Sequence, residues 1–170
     1  MKQVEIRKAT REDVLAISQI TAEAFHKYAL DLGDTKSVGA LRETPKDVLK
    51  DIAHKRVYIA FLDGEPVGSI RFEVIGQVAY ISRFGVKLIA QGCGVGHALI
   101  KAVEAKCRRL ELSAMVLHTS SRMSSLVRFY YGCGFFIHST TSVRGYIRAL
   151  LVRELVDDPG LDYVEIVNGR

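Results

Sequence analysis

Long apolar runs, paired cysteines and clustered basic residues are all absent from this sequence. No stretch reaches the roughly 20 apolar residues that a membrane-spanning helix needs. The three cysteines, Cys93, Cys107 and Cys133, form no Cys-x-x-Cys pair and have no histidine at metal-ligand spacing, which argues against a disulfide framework and a zinc site. The first residues lack the apolar core of a secretory signal, so we expect a cytoplasmic protein with no membrane partner.

The charge of the chain is mildly positive and evenly spread. Lysine and arginine number 24 against 19 aspartate and glutamate residues, which gives a net charge of +5. Such a balance favours an anionic ligand, for example a phosphorylated cofactor. Because the basic residues are scattered and no RNA-binding or DNA-binding signature occurs, nucleic acid is not the expected partner.

Hydrophobic periodicity and turn residues predict helices and strands within one domain. The 170 residues, 48% of them hydrophobic, suffice for a core without disulfides or metal. Thr10 and Thr44 each precede an aspartate by three positions and are the predicted N-caps of the first two helices. The predicted helices cover residues 11–25, 45–55, 94–110 and 124–131, and the predicted strands cover residues 4–9, 57–62, 66–75, 78–86, 114–118, 135–138 and 146–152. Residues 157–170 are expected to form a C-terminal tail or, over residues 163–167, an edge strand.

A glycine-rich loop, residues 91–96 (QGCGVG), lies between the predicted strand 78–86 and the helix that follows. Glycines at every second position let backbone N–H groups converge, and the helix directs its positive end to the same point, which suits the loop to phosphate. A Walker A loop requires a Lys-Ser or Lys-Thr pair that is missing here, and a Rossmann fingerprint requires a glycine where His97 stands. Neither nucleotide-binding pattern fits.

Two sequence motifs resemble those of the GCN5-related N-acetyltransferases, the GNAT superfamily. Residues 91–96 match its Gln/Arg-x-x-Gly-x-Gly/Ala signature, and residues 81–86 (ISRFGV) stand where the family has the preceding strand. Residues 130–135 (YYGCGF) resemble its Tyr-x-x-x-Gly-Phe motif near the C-terminus. The order of elements agrees to about Val156, so the resemblance covers nearly the whole chain.

The resemblance implies an α/β (α+β) fold of the GNAT type, with a central, mostly antiparallel twisted sheet of about six or seven strands and about four flanking helices. A splayed parallel strand pair would lie at the coenzyme A site, within a single N-acetyltransferase domain over residues 1–170. Acetyl-CoA is the implied co-substrate, with its pyrophosphate on the loop amides and its pantetheine arm along residues 84–86. The implied cofactor-binding residues are Phe84, Gly85, Val86, Gln91, Gly92, Cys93, Gly94, Val95, Gly96 and His97.

The resemblance also implies a catalytic role for Tyr130, and Tyr80 is a candidate for a second one. Tyr130 would protonate the departing thiolate of coenzyme A, and a main-chain N–H near Phe84 would stabilise the oxyanion. Many relatives carry a glutamate eleven residues before the signature, where this chain has Tyr80. The sequence therefore does not decide which group takes the proton of the amine. The candidates are water, Tyr80 and three further side chains, namely Ser82, Glu73 and His118.

We expect an acetyl-CoA-dependent N-acetyltransferase in which the amine attacks directly within a ternary complex. The acceptor would be a small-molecule or peptide amine, and nothing in the sequence selects among amino acids, polyamines, aminoglycosides and protein N-termini. Asp31 and Asp34, in the region where relatives bind the acceptor, would attract a cationic amine. Two alternatives stay open, a non-catalytic acyl-CoA-binding module and an acetyltransferase associated with protein or nucleic acid. A homodimer is also left open.

Overall fold

The centre of the structure is one mixed β-sheet. The computed structural model describes residues 2–170, and its seven strands lie in the order β1-β2-β3-β4-β5-β7-β6. Antiparallel pairs join β1 to β2, β2 to β3, β5 to β7 and β6 to β7, whereas β4 and β5 are parallel. The strands are β1 (Val4–Lys8), β2 (Arg56–Leu62), β3 (Glu65–Ile75), β4 (Val78–Val86), β5 (Ala114–Ser120), β6 (Phe136–Thr141) and β7 (Arg148–Glu154). The expected mostly antiparallel sheet with one parallel pair is confirmed.

Four long helices flank the sheet, and a short fifth helix lies near the C-terminus. They are α1 (Val14–Leu32), α2 (Pro45–His54), α3 (Val95–Arg109), α4 (Ser124–Gly132) and α5 (Tyr163–Asn168). Short 3-10 turns precede α1, α2 and the glycine loop, at Arg11–Asp13, Gly39–Arg42 and Leu88–Ala90. None of the helices among residues 2–170 is both long and apolar enough to span a bilayer.

Local capping signals explain where the first helices begin and end. Thr44 and Asp47 form the predicted capping box of α2, in which the Thr44 amide donates to Asp47 Oδ2 at 2.8 Å and the Asp47 amide donates to Thr44 Oγ1 at 3.4 Å. Helix α1 continues to Leu32, beyond the end predicted near Phe25. It stops at Gly33, whose φ of 77° is left-handed and whose amide donates to the Ala29 carbonyl at 2.9 Å. No helix-breaking residue occurs before that glycine, which is why the helix is longer than predicted.

The described chain forms two compact units. The first contains the residues up to Phe72 together with Arg83–Val103, and the second contains Glu73–Ser82 together with Glu104–Arg170. The first unit has core clusters that include Ile17, Val48, Val57 and Ile59, and Ala29, Val38 and Ala40. The second unit has a core of Val78, Tyr80, Ala114, Val116, Leu150, Val152, Tyr163 and Val167. The single domain expected over residues 1–170 stays a prediction.

The C-terminal segment is a helix, so the edge strand predicted over residues 163–167 is wrong. Asp162 caps α5 by accepting the amide of Glu165 at 3.0 Å. Tyr163 and Val167, four residues apart, are 3% and 5% exposed and pack into the core of the second unit. The same two side chains would also share one face of a strand, so the hydrophobic spacing fits both structures and the cap decides between them.

A buried cluster of charges joins several segments of the first unit. Arg71 on β3 is fully buried, and its guanidinium binds both carboxylate oxygens of Glu43, at 2.5 and 2.8 Å. The same guanidinium lies 2.8 Å from Asp51 Oδ2 on α2, and Arg83 Nε on β4 lies 3.3 Å from Glu43 Oε1. Glu43 therefore joins two strands, and Arg71 adds α2 to the same cluster.

Replacing Glu43 should destabilise the fold strongly. The Glu43→Gln variant removes the charge that compensates buried Arg71, and we expect the free energy of unfolding to fall by about 3 kcal/mol. Urea denaturation measures this loss. The control is Glu65→Gln, which removes a carboxylate from an exposed position at the start of β3. A change at Glu43 as small as that at Glu65 would contradict the importance of the buried cluster.

Candidate active site

The pairing of the parallel strands β4 and β5 stops before either strand ends. The register runs from Val78 opposite Ala114 to Tyr80 opposite Val116. Beyond these residues β4 continues to Val86 and β5 continues to Ser120. The last part of β4 is therefore free of ladder hydrogen bonds to β5, and it is this part that leads to the glycine loop.

The end of β4 has an unusual backbone and a close neighbour in α1. Arg83 is left-handed, with a φ of 50°, which is uncommon for a residue with a side chain. At Gly85 a Cβ atom would lie only 2.7 Å from the Cβ of Ala24 on α1, so glycine is required for the strand to approach the helix. Just past the strand, the Leu88 amide donates to Glu23 Oε2 of α1 at 2.7 Å. Helix α1 thus fixes the segment that enters the glycine loop.

The glycine loop presents unpaired backbone N–H groups at the start of α3. Gly92 and Gly94 have φ angles of 77° and 83°, and a Cβ atom at either would meet no atom within 4 Å. The amides of Gln91 and Cys93 donate within the loop region, to the carbonyls of Leu88 and Ala90. In the part of the chain that the structure describes, four other amides have no protein acceptor, those of Gly92, Gly94, Val95 and Gly96. Open space, four donors and the positive end of a helix fit a phosphate group.

Tyr80 and His118 form a hydrogen-bonded pair in the second unit. The Tyr80 hydroxyl lies 2.7 Å from His118 Nδ1, and Tyr80 is only 5% exposed. Burial, together with the nearby positive charges of Arg148, Arg170 and Arg144, lowers the pKa of His118 from 6.5 to about 4. The ring is therefore neutral near pH 7, and its Nδ1 can accept the hydrogen bond of the Tyr80 hydroxyl.

Two further candidates for the base lie near this pair along the strands. Glu73 on β3 faces Arg170, whose Nη1 is 4.0 Å from the Glu73 carboxylate and whose guanidinium lies 3.9 Å from the centre of the Tyr80 ring. Ser82 follows Tyr80 by two residues on β4 and so shares its face of the strand. Among the four side chains that the sequence suggests, only Tyr80 and His118 are in direct contact with each other.

Tyr130 lies at the end of α4 in a cluster of aromatic rings. It is 7% exposed, and its ring meets those of Phe129 and Phe135 edge-on, at centroid distances of 5.4 and 5.7 Å. The Phe135 amide donates to the Tyr130 carbonyl at 3.0 Å, and Gly134 between them is left-handed, with a φ of 89°. The second motif therefore forms the end of α4, where the left-handed glycine turns the chain so that Phe135 packs against Tyr130.

Hydrophobic patterns in the sequence could not show that Arg170 lies beside Tyr80. Its guanidinium stacks on Tyr80, ninety positions earlier in the chain, because α5 folds back over the second unit. The capping residue Asp162 was the available signal for that helix.

Among residues 2–170, no group of three or more histidine, cysteine, aspartate or glutamate side chains could hold a metal ion.

Comparisons with known proteins give one consistent result. The model of the Acetyltransferase (GNAT) family matches residues 19–135. No curated protein sequence matches the chain. Among solved structures, the PaiA N-acetyltransferase of Thermoplasma acidophilum, in complex with coenzyme A, has a TM-score of 0.80 at 20% identity, over 89% of this chain and 99% of that one.

Two other solved structures are similar over most of their length. The ribosomal-protein-S18-alanine N-acetyltransferase of Escherichia coli has a TM-score of 0.73 at 13% identity, over 95% of this chain and 100% of that one. Ard1 of Thermoplasma volcanium has a TM-score of 0.71 at 20% identity, over 91% and 99% of the two chains. These similarities confirm the expected fold. The cytoplasmic location and the homodimer stay predictions.

Acidification should destabilise the protein through His118. The folded state holds the ring neutral down to about pH 4, whereas the unfolded ring has the ordinary pKa of 6.5. In this window the unfolded state binds more protons, so the free energy of unfolding falls as the pH falls. We expect His118→Gln to lose less unfolding free energy than the wild type between about pH 7 and pH 4.5, measured by urea denaturation.

The matched control for this comparison is His26→Gln. His26 is exposed on α1, so its replacement removes a histidine without touching the Tyr80–His118 pair. An equal loss of stability in His118→Gln and the wild type would contradict a ring that is held neutral by burial and by its arginine neighbours.

Proposed function

Because the chain belongs to the Acetyltransferase (GNAT) family, we propose that it transfers the acetyl group of acetyl-CoA to an amine by direct attack in a ternary complex. The observation that carries this proposal is the set of four unpaired amides at the start of α3. The presence of coenzyme A in the PaiA structure, which has the same fold, supports it.

The glycine loop is proposed to bind the pyrophosphate of coenzyme A. The amides of Gly92, Gly94, Val95 and Gly96 would donate to the phosphate oxygens, while those of Gln91 and Cys93 shape the loop through their internal hydrogen bonds. His97 lies in the first turn of α3 directly after these donors. Residues 84–86 would run beside the pantetheine arm, with a main-chain N–H near Phe84 directed at the thioester oxygen.

The Tyr80–His118 pair is proposed to remove the proton of the acceptor amine. An alkyl ammonium has a pKa of about 10.4 and must become neutral before it attacks. Tyr80 can take that proton, directly or through water, while its own hydroxyl proton passes to His118 Nδ1, 2.7 Å away. Because its pKa is about 4, His118 is a weak base that holds this proton only transiently before releasing it to solvent near neutral pH.

Tyr130 is proposed as the group that donates a proton to the departing thiolate. A phenol has a pKa of about 10 and a thiol about 8.5, so hydrogen bonding must assist the transfer. The nearly complete burial of Tyr130 supports the role, because a hydrogen bond from its hydroxyl would be stronger away from water. The second motif, in which Tyr130 is the first residue, supports it independently.

Binding of coenzyme A should depend on Gly94. An alanine there would retain a left-handed φ of 83° only at a cost of about 1 kcal/mol, so the loop should relax and misdirect its amides. We expect the Kd for coenzyme A, measured by calorimetry, to rise about tenfold. Gly64→Ala is the matched control, since Gly64 has a φ of 86° and equally open space in the β2–β3 turn. Equal affinity in both variants would contradict the assignment of the loop.

The two tyrosines should affect turnover rather than binding. We expect Tyr80→Phe and Tyr130→Phe each to lower kcat about 100-fold in a thiol-release assay, with little change in the KM for acetyl-CoA. Tyr131→Phe is the control, because Tyr131 lies on the same helix and is 52% exposed. A Tyr130→Phe variant with full kcat would overturn the acid role.

The second candidate function is a non-catalytic acyl-CoA-binding module. The tyrosine at position 80, where many relatives have a glutamate, is the observation that favours it. Measuring acetyl-CoA binding and thiol release by the wild-type protein with a panel of amines distinguishes the two functions. Binding of acetyl-CoA without thiol release from any amine would favour the module over the enzyme, and absence of binding would overturn both.

A further inference from the structure

One face of the sheet in the second unit carries both the Tyr80–His118 pair and an arginine. The register places His118 opposite Leu150 and Ser120 opposite Arg148, so His118 and Arg148 point to the same face. Tyr80 is opposite Val116 and shares this face as well. Helix α5 packs against it and brings Arg170 over the Tyr80 ring at 3.9 Å.

Three arginines surround this position, and we call them the arginine cluster: Arg148 on β7, Arg144 in the turn before β7 and Arg170 after α5. All three lie close enough to His118 for their charges to act on its ring. The only carboxylate that pairs with the cluster among residues 2–170 is Glu73, at 4.0 Å from Arg170. The Nε atom of Arg148 is buried and has no hydrogen-bond partner in the described chain. Buried donors normally have a partner, so this Nε atom is a donor that a bound ligand can use.

The aspartates that could attract a cationic amine are already engaged elsewhere. Asp31 forms an ion pair with Lys27 one helical turn earlier on α1. Asp34 accepts the amides of Lys36 and Ser37, at 3.0 and 3.1 Å. Neither carboxylate is therefore available without loss of an existing partner, whereas the arginine cluster has a buried Nε atom without one in the described chain.

We propose that the acceptor amine also carries an oxyanion group, a carboxylate or a phosphate, which binds the arginine cluster while the amine lies at Tyr80 and His118. This inference rests on the proposed acetyl transfer. The planar guanidinium group matches the geometry of both anions through two parallel hydrogen bonds. A polyamine or another polycation would instead bring additional positive charge to three arginines of which, in the described chain, Arg170 alone pairs with a carboxylate.

The test uses several acceptor scaffolds, each made with a carboxylate, a phosphate, a neutral carboxamide or a second amine at the far end. Thiol release with acetyl-CoA gives kcat/KM for each. We expect the anionic members to exceed the carboxamides by about 10- to 100-fold, mainly through KM, as a charge-assisted hydrogen bond would give. The better of the two anionic members identifies the oxyanion. Preference for the carboxamide or the second amine would overturn the inference while leaving acetyl transfer intact, and no thiol release with any member would overturn both.

Two variants link this preference to the cluster. Arg148→Gln, and Arg144→Gln at an exposed position, should each raise the KM for the anionic acceptor about tenfold, whereas the KM for the carboxamide, which has no charge to bind the cluster, should change much less. Arg109→Gln removes the same charge from the exposed end of α3 and should change neither value. If the cluster variants raise the KM for acetyl-CoA instead, the arginines serve the phosphates of the co-substrate and the inference is wrong.

Discussion

The burial of Arg71 is the constraint on which the first unit depends. A guanidinium removed from water needs carboxylate partners. Glu43 and Asp51 supply them from positions 28 and 20 residues before Arg71 in the sequence. Any packing of β3 that separated these groups would leave an uncompensated buried charge. Glu43 also binds Arg83 on β4, so the charge balance of the core extends to the left-handed residue directly before Phe84.

The same part of the first unit is restrained from the side of α1. Ala24 leaves no room for a side chain at Gly85, and Glu23 accepts the amide of Leu88 just beyond the strand. Steric contact at Gly85, the hydrogen bond of Leu88 and the partly buried ion pair of Arg83 thus act within six residues of chain. The amides of the glycine loop follow this restrained segment, so they can be oriented before any anion arrives, which lowers the entropic cost of binding.

Features that depend on local chemistry could be predicted from the sequence, and features that depend on strand register could not. The Thr44 cap and the glycine loop are set by residues a few positions apart, and the structure has both where expected. Helix α5 lies where the sequence predicts a tail or an edge strand, because the spacing of Tyr163 and Val167 fits either period. The Tyr80–His118 contact joins residues 38 positions apart, so the sequence could suggest each residue separately but could not show that they are bonded.

The arginine cluster would affect proton transfer differently in the free protein and in the complex with an anionic acceptor. Before binding, burial and, to a smaller extent, the positive charges of the cluster hold the pKa of His118 at about 4, and the same charges disfavour an ammonium group nearby. An oxyanion bound to Arg148 would neutralise part of that field and move the pKa of His118 back toward its ordinary value. His118 would then accept a proton from Tyr80 more readily in the ternary complex than in the free protein. The charges of the arginine cluster would therefore serve both to recognise the amine substrate and to make His118 a better base.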